Sequence, residues 1–241
     1  MAERSMISVP WSVKALLGLA LLAQIGFSAL QPRPQARAEA LPLPPSLPAL
    51  RVISLGDPIP LAQLLTLELQ AFDNQPGISI PFLKLDYAHV QAWLERILDL
   101  DPNGQYPLMM ASELYAQVPD EVKQRQMLDF VYRQFSADPN HRWPWLAHAA
   151  IMAKHRLHDL PLALRYAQAL AARATGPGVP DWARQMQIFL HEDMGEYETA
   201  RVLLGGLLAS GTVTDPHEIR FLIERLNQLK AAEKSSSSSK K

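Results

Sequence analysis

Asp138-Pro139-Asn140-His141-Arg142-Trp143-Pro144-Trp145 decides the fold, because Asp101-Pro102-Asn103-Gly104-Gln105-Tyr106-Pro107-Leu108 carries the same punctuation 37 residues earlier. The step runs on: Trp145 maps to Trp182, Leu160 to Tyr197 and Ala163 to Ala200. A fixed period in the range of about 20 to 50 residues marks stacked supersecondary units, each unable to bury its apolar face alone. Each unit reads as two helices. First helices are expected over 105–117, 144–157 and 181–193, and second helices over 121–136, 160–173 and 196–209. In 160–173, Leu162, Ala163, Tyr166, Ala167 and Leu170 follow the i, i+3/i+4 spacing of one apolar stripe. The connections Val118-Pro119-Asp120, His158-Asp159 and Met194-Gly195 are short, so each unit is expected to be an antiparallel helical hairpin.

Working outward, 61–72 is a strongly apolar helix, and Asp86 is a good N-cap for a helix through Leu100 striped by Val90, Trp93, Leu94, Ile97 and Leu98. This pair reads as a degenerate terminal unit. Downstream, Gly211 breaks the chain; Asp215 and Pro216 restart it, with Glu218 placed to reach back in a capping box. The last helix is expected to reach about 232 and to close the array with a polar outer face. The repeat domain is thus 61–232, and 233–241, with five serines and two lysines after Lys234, is expected to be a disordered tail.

Before the domain, Ala15 to Leu30 is apolar apart from Gln24, preceded by Arg4 and Lys14. Residues 1–30 read as an export signal or a transmembrane anchor, with Ala36-Arg37-Ala38 as a candidate cleavage site. Residues 31–60 carry eight prolines and are expected to form an extended linker. At about 3.1 Å per residue such an arm would hold the domain roughly 60 to 90 Å from a membrane.

The chain has no Cys, which excludes disulfides, thiol catalysis and Cys-based metal sites. A formal net charge of −1 without a basic stripe argues against a nucleic-acid partner. No Gly-rich phosphate loop, nucleophile elbow or dinucleotide fingerprint occurs, so no cofactor and no small-molecule substrate are expected. His148, His155 and His158 with Asp159 would have to converge for a metal-dependent hydrolase, the one catalytic alternative.

Gly195-Glu196-Tyr197-Glu198-Thr199-Ala200 resembles the turn and second-helix start of a tetratricopeptide repeat, and His158-Asp159-Leu160-Pro161-Leu162-Ala163 is a second copy. The chain departs from that family in its longer period, the family's being about 34, and in lacking the family's Trp-Leu-Gly-Tyr set in its first helices. The resemblance implies an all-α, TPR-like solenoid whose first helices line a concave groove for a protein segment. Carried onto this sequence, the groove positions are Leu108, Ala111 and Tyr115, then Trp145, His148, Met152 and His155, then Trp182, Gln185, Phe189 and Glu192. Aromatics and Met with a few polar groups suit a docked peptide or helix. The same Trp145, Met152, Trp182 and Phe189 would equally serve as core between hairpins.

Export segment, arm and repeat together give the expected function. This is a non-catalytic interaction scaffold of a bacterial cell-envelope assembly, anchored in the inner membrane with its helical domain on the periplasmic side and binding a protein partner. Cleavage near Ala38 would instead give a soluble periplasmic, chaperone-like binder.

Overall fold

A computed structural model describes residues 10–30 and 38–238 of the chain. Contacts divide it into two units, residues 1–38 with 76–78, and the remainder. The first holds α1 (Trp11–Leu30), which by length and composition is apolar enough to cross a membrane.

The second unit holds α2 (Leu47–Ile53), α3 (Pro58–Ala71), α4 (Tyr87–Leu100), α5 (Tyr106–Met109), α6 (Glu121–Ala137), α7 (Pro139–His155), α8 (Leu160–Arg173), α9 (Asp181–Asp193), α10 (Tyr197–Ser210) and α11 (Pro216–Ser238). Two-residue strands β1 (Asn74–Gln75) and β2 (Ile78–Ser79) pair in the α3–α4 connection. The protein is therefore all-α apart from this small ladder among the described residues, and most helices pack chiefly on their neighbours in sequence. The core is a continuous cluster running from Leu41 to Leu190. A thinner second cluster joins α9, α10 and α11 through Ile188, Ala200, Leu204, Val213, Leu222 and Leu229.

Local chemistry explains most helix starts. The side chains of Asp86, Asp120, Asp159 and Asp215 accept from Ala88 N, Lys123 N, Leu162 N and His217 N, at 2.8, 3.0, 2.9 and 2.8 Å. Each satisfies a first-turn amide that the helix itself leaves unpaired. The turns closing α7 and α9 also match: His158 (φ 51°) and Gly195 (φ 75°), one period apart, both take the left-handed conformation.

The two Asp-Pro-Asn copies do different things. Asp138-Pro139-Asn140-His141 opens α7 directly, Arg142 N donating to Asp138 O at 3.0 Å, so α7 begins at Pro139 rather than Pro144 and carries Pro144 inside it. At the equivalent of His141 stands Gly104, a poor helix former whose amide closes a tight turn on Asp101 O at 3.0 Å. A Cβ at Gly104 would sit 2.9 Å from Asp101 Oδ2.

The expected single helix over 105–117 is likewise interrupted. After α5 the chain widens into a π-turn at Met110–Leu114 and tightens at Tyr115–Gln117. Leu108, Met110, Ala111, Ser112, Tyr115 and Ala116 are all buried, more than one helical stripe covers, and Ser112 Oγ donates back to Leu108 O at 2.9 Å.

Two boundary expectations are corrected. The described part of the linker is no free arm: Leu41 and Leu50 are each only 3 % exposed in the main core. Trp93 Nε1 donates to Pro42 O at 2.8 Å and His89 Nδ1 donates to Leu41 O. Proline density forbids a long helix but leaves two leucines free to bury, and α2 forms with Pro48 in its first turn, where the missing amide costs nothing. The expected extension over 31–37 lies outside the described residues. At the other end α11 runs to Ser238, past the expected boundary at 232. Glu218 does not complete a capping box; its carboxylate accepts from Gln185 Nε2 at 2.7 Å.

Candidate partner-binding surface

Side-chain bonds between residues about one period apart tie the hairpins together. On the second helices, Arg125 of α6 pairs with Asp159 at the start of α8 at 2.7 Å, and Asp129 accepts from Arg165 Nη2 and Tyr166 Oη at 3.0 and 3.1 Å. Tyr132 stacks on Tyr166 with centroids 5.3 Å apart, and the Arg165 guanidinium lies over both rings. Burial beside the Asp129 carboxylate pushes the Tyr166 hydroxyl well above its ordinary range. The amide of Leu162 and then Arg125 hold Asp159 below the usual carboxylate value.

The repeated turns meet as well. Arg142, buried, donates from Nη2 to Pro102 O at 2.8 Å and from Nη1 to Gln134 O at 2.8 Å. Asn140 Oδ1 accepts from Gly176 N at 2.8 Å, and a Cβ at Gly176 would come within 2.9 Å of the Asn140 side chain.

The first helices carry the aromatic surface. At their N-terminal ends, Trp145 Nε1 donates to Gln105 Oε1 at 2.7 Å, linking α7 to the turn before α5. Trp143 meets Trp182 of α9 edge to face, centroids 5.5 Å apart. Tyr106 and Trp182 stand exposed, Trp182 by 50 %, while Trp143 and Trp145 are half-buried. Gln70 Nε2 of α3 donates to Tyr106 Oη, beside a cleft of about 560 Å³ whose wall includes Thr66, Gln70, Asp101, Gln105 and Tyr106. At the C-terminal ends, Gln117 Nε2 reaches Met152 Sδ at 3.6 Å, and Lys154 of α7 pairs with Asp193 of α9. Between these last two helices a shallow cleft of about 130 Å³ is lined by Ile151, His155, Met186 and Phe189.

The expected groove residues therefore divide. Leu108, Ala111 and Tyr115 are fully buried and belong to the core; the Tyr115 ring packs edge to face on Phe82 and Tyr87. Burial raises the Tyr115 hydroxyl pKa and leaves its oxygen without a hydrogen-bond partner. Met152 and Gln185 are buried too, Gln185 held by Glu218. Glu192 is committed to Arg225 of α11, which donates from Nε at 3.0 Å and from Nη2 at 2.5 Å. Trp145, His148, His155, Trp182 and Phe189 keep surface available, and His148 Nε2 is buried with no partner. Leu108 precedes the π-turn, Ala111 lies in it and Tyr115 follows it, and all three face the core. Tyr106 and Trp143, in the two copies quoted first and outside the expected groove positions, also keep aromatic surface exposed.

Among the described residues no group of three or more His, Asp or Glu side chains is placed to hold a metal ion. The convergence of His148, His155 and His158 thus has no geometric support. No family model, curated protein or solved structure matches the chain.

Proposed function

We propose that this chain is a membrane-anchored, non-catalytic adaptor of the cell envelope, whose TPR-like array of hairpins binds a segment of a partner protein along the exposed aromatic edge of α5, α7 and α9. The observation that carries the reading is the row Tyr106, Trp143, Trp145 and Trp182. Large aromatic surface is left half in water at the N-terminal ends of three successive first helices, tied by the Trp145–Gln105 bond and the Trp143–Trp182 contact. Rigid aromatics of this kind are the anchors on which interfaces concentrate their energy. The polar bonds between residues a period apart support a solenoid, since in such an array each unit contacts only its neighbours. α1 supports the anchor.

The test is crosslinking from a photoreactive residue at position 141, an exposed site in the first turn of α7, in the full chain in native membranes. A discrete partner band is expected, and Tyr106→Ala with Trp182→Ala should remove it while the far-UV helix signal is retained, because both side chains are exposed. Persistence of the same band in that double variant would overturn the surface assignment. A reporter active only outside the cytoplasm, fused after Lys241, together with the intact mass of the extracted protein, tests the anchor and its orientation. An active reporter on a chain lacking its first 38 residues would replace the anchored adaptor by a soluble exported binder.

A further inference from the structure

The elbow between α2 and α3 is built for an apolar medium on one side and for protein on the other. Toward the protein, Leu50, Ala62, Leu65 and Leu69 are buried in the main core. Away from it, Val52, Ile53, Leu55, Ile59 and Leu64 are all exposed large apolar residues. From Leu41 to Gln70 the only charged residues are Arg51, Asp57 and Glu68. A helix apolar all round is ordinarily covered all round. The pair α2 and α3 is bent by 118° at the break between them and together reaches the apolarity of a membrane span. The bend and the buried face rule out a straight crossing; what remains is a segment lying in the plane of an interface.

Leu55 sharpens the point. It is 93 % exposed and sits at φ 50°, next to Gly56 at φ 95°. A bulky side chain in the left-handed region carries a strain that a glycine or asparagine would avoid. In water this leucine gains nothing from the turn that displays it.

The length of chain outside the folded core identifies the occupant. Leu41 is docked in the core, so the connection from α1 is not the long arm the prolines imply. It consists of the ten residues 31–40 between Leu30 and Leu41, eleven backbone steps that reach at most about 35 to 40 Å even fully extended. Leu43, exposed, follows the docking point directly, and the elbow lies within the next sixteen residues. With α1 in a bilayer, a tether this short keeps the elbow at high effective concentration against the same surface. We infer that the α2–α3 elbow, through Val52, Ile53, Leu55 and Ile59, is a second membrane contact that inserts into the lipid interface and lays the helical domain against the bilayer. The inference uses the anchor reading for its geometry, and the experiment separates the two.

Because the chain has no Cys, single-cysteine variants of the full chain label cleanly. The protein is reconstituted into vesicles of phosphatidylethanolamine and phosphatidylglycerol, with an environment-sensitive fluorophore at Ile53→Cys, Ile59→Cys, Leu21→Cys in α1, or Val122→Cys, an exposed apolar position on α6. Nitroxide-bearing lipids then report depth. The expected result is blue-shifted, strongly quenched emission at 53 and 59, quenching also at 21, and aqueous emission at 122. Labels at 53 and 59 that match 122 while 21 is quenched would overturn the elbow and leave the anchor standing. An unquenched label at 21 would overturn the anchor, and the elbow would still be decided by its own two labels. Ile53→Asp with Ile59→Asp should abolish the elbow quenching, monitored from Val52→Cys, without changing the far-UV helix signal.

Discussion

Truncating Leu50 tests the docking of the segment before α3 onto the helical core. Leu50 is buried against α4, and the carbonyl of Leu50 accepts from Ser54 N at 2.9 Å. Leu50 N in turn donates to Ser46 O at 3.1 Å. Leu→Ala in a full core costs about 2 to 5 kcal/mol, and a segment at the core's edge collapses onto part of the cavity, so about 2 to 3 kcal/mol is expected here. Since 1.4 kcal/mol is a factor of ten, local opening becomes about 30 to 140 times more frequent. Hydrogen exchange of the full chain reads this directly. The Leu50 and Ser54 amides should accelerate by that factor in Leu50→Ala, while amides in the middle of α8 keep their wild-type rates. Trp93→Phe, which leaves Pro42 O without its indole donor at the loss of about 1 kcal/mol, should accelerate the same amides about fivefold. Unprotected amides at 50 and 54 in the wild type, or rates unchanged by Leu50→Ala, would refute the docked segment and return it to an arm.

Other consequences are as direct. Asp159→Ala should lower stability at neutral pH by about 1 to 2 kcal/mol, losing the cap to Leu162 and the pair with Arg125; Asp159→Asn keeps the cap and should lose under about 1. Because the folded Asp159 pKa is depressed, its contribution is present above the unfolded carboxylate value and fades as pH falls through the lower folded one. Urea titrations should therefore bring wild type and Asp159→Asn together in acid; a gap that widens there would contradict the assignment. Gly195→Ala should cost about 1 kcal/mol in thermal unfolding by forcing a Cβ into the left-handed region, whereas Asn at His158 should be neutral or better. Leu222→Ala, in the thin second cluster, should open α10 and α11 in hydrogen exchange while leaving α4 to α8 protected. Uniform acceleration along the chain would instead make the two clusters one cooperative unit.

The helix pairs and two of their caps were legible in the sequence because they are local. Asp86 and Asp215 each accept from an amide two residues on, and α8, α9 and α4 begin and end where caps and turns say they should. Gly195 and His158 close equivalent turns through their own backbone dihedrals. What periodicity cannot carry is the number of sides from which a helix is covered. The register expects Leu108, Ala111 and Tyr115 on a groove face; all three are buried, and Phe82 and Tyr87 pack over Tyr115. Nor does composition reveal docking: eight prolines describe a stiff segment, yet Leu41 and Leu50 meet apolar surface supplied by α4, more than thirty residues on. By itself the sequence determined an all-α chain of paired helices behind one apolar N-terminal segment. Tertiary structure alone decided which aromatics remain at the surface and that part of the proline-rich stretch belongs to the fold, because burial depends on partners distant in sequence whereas caps and turns do not.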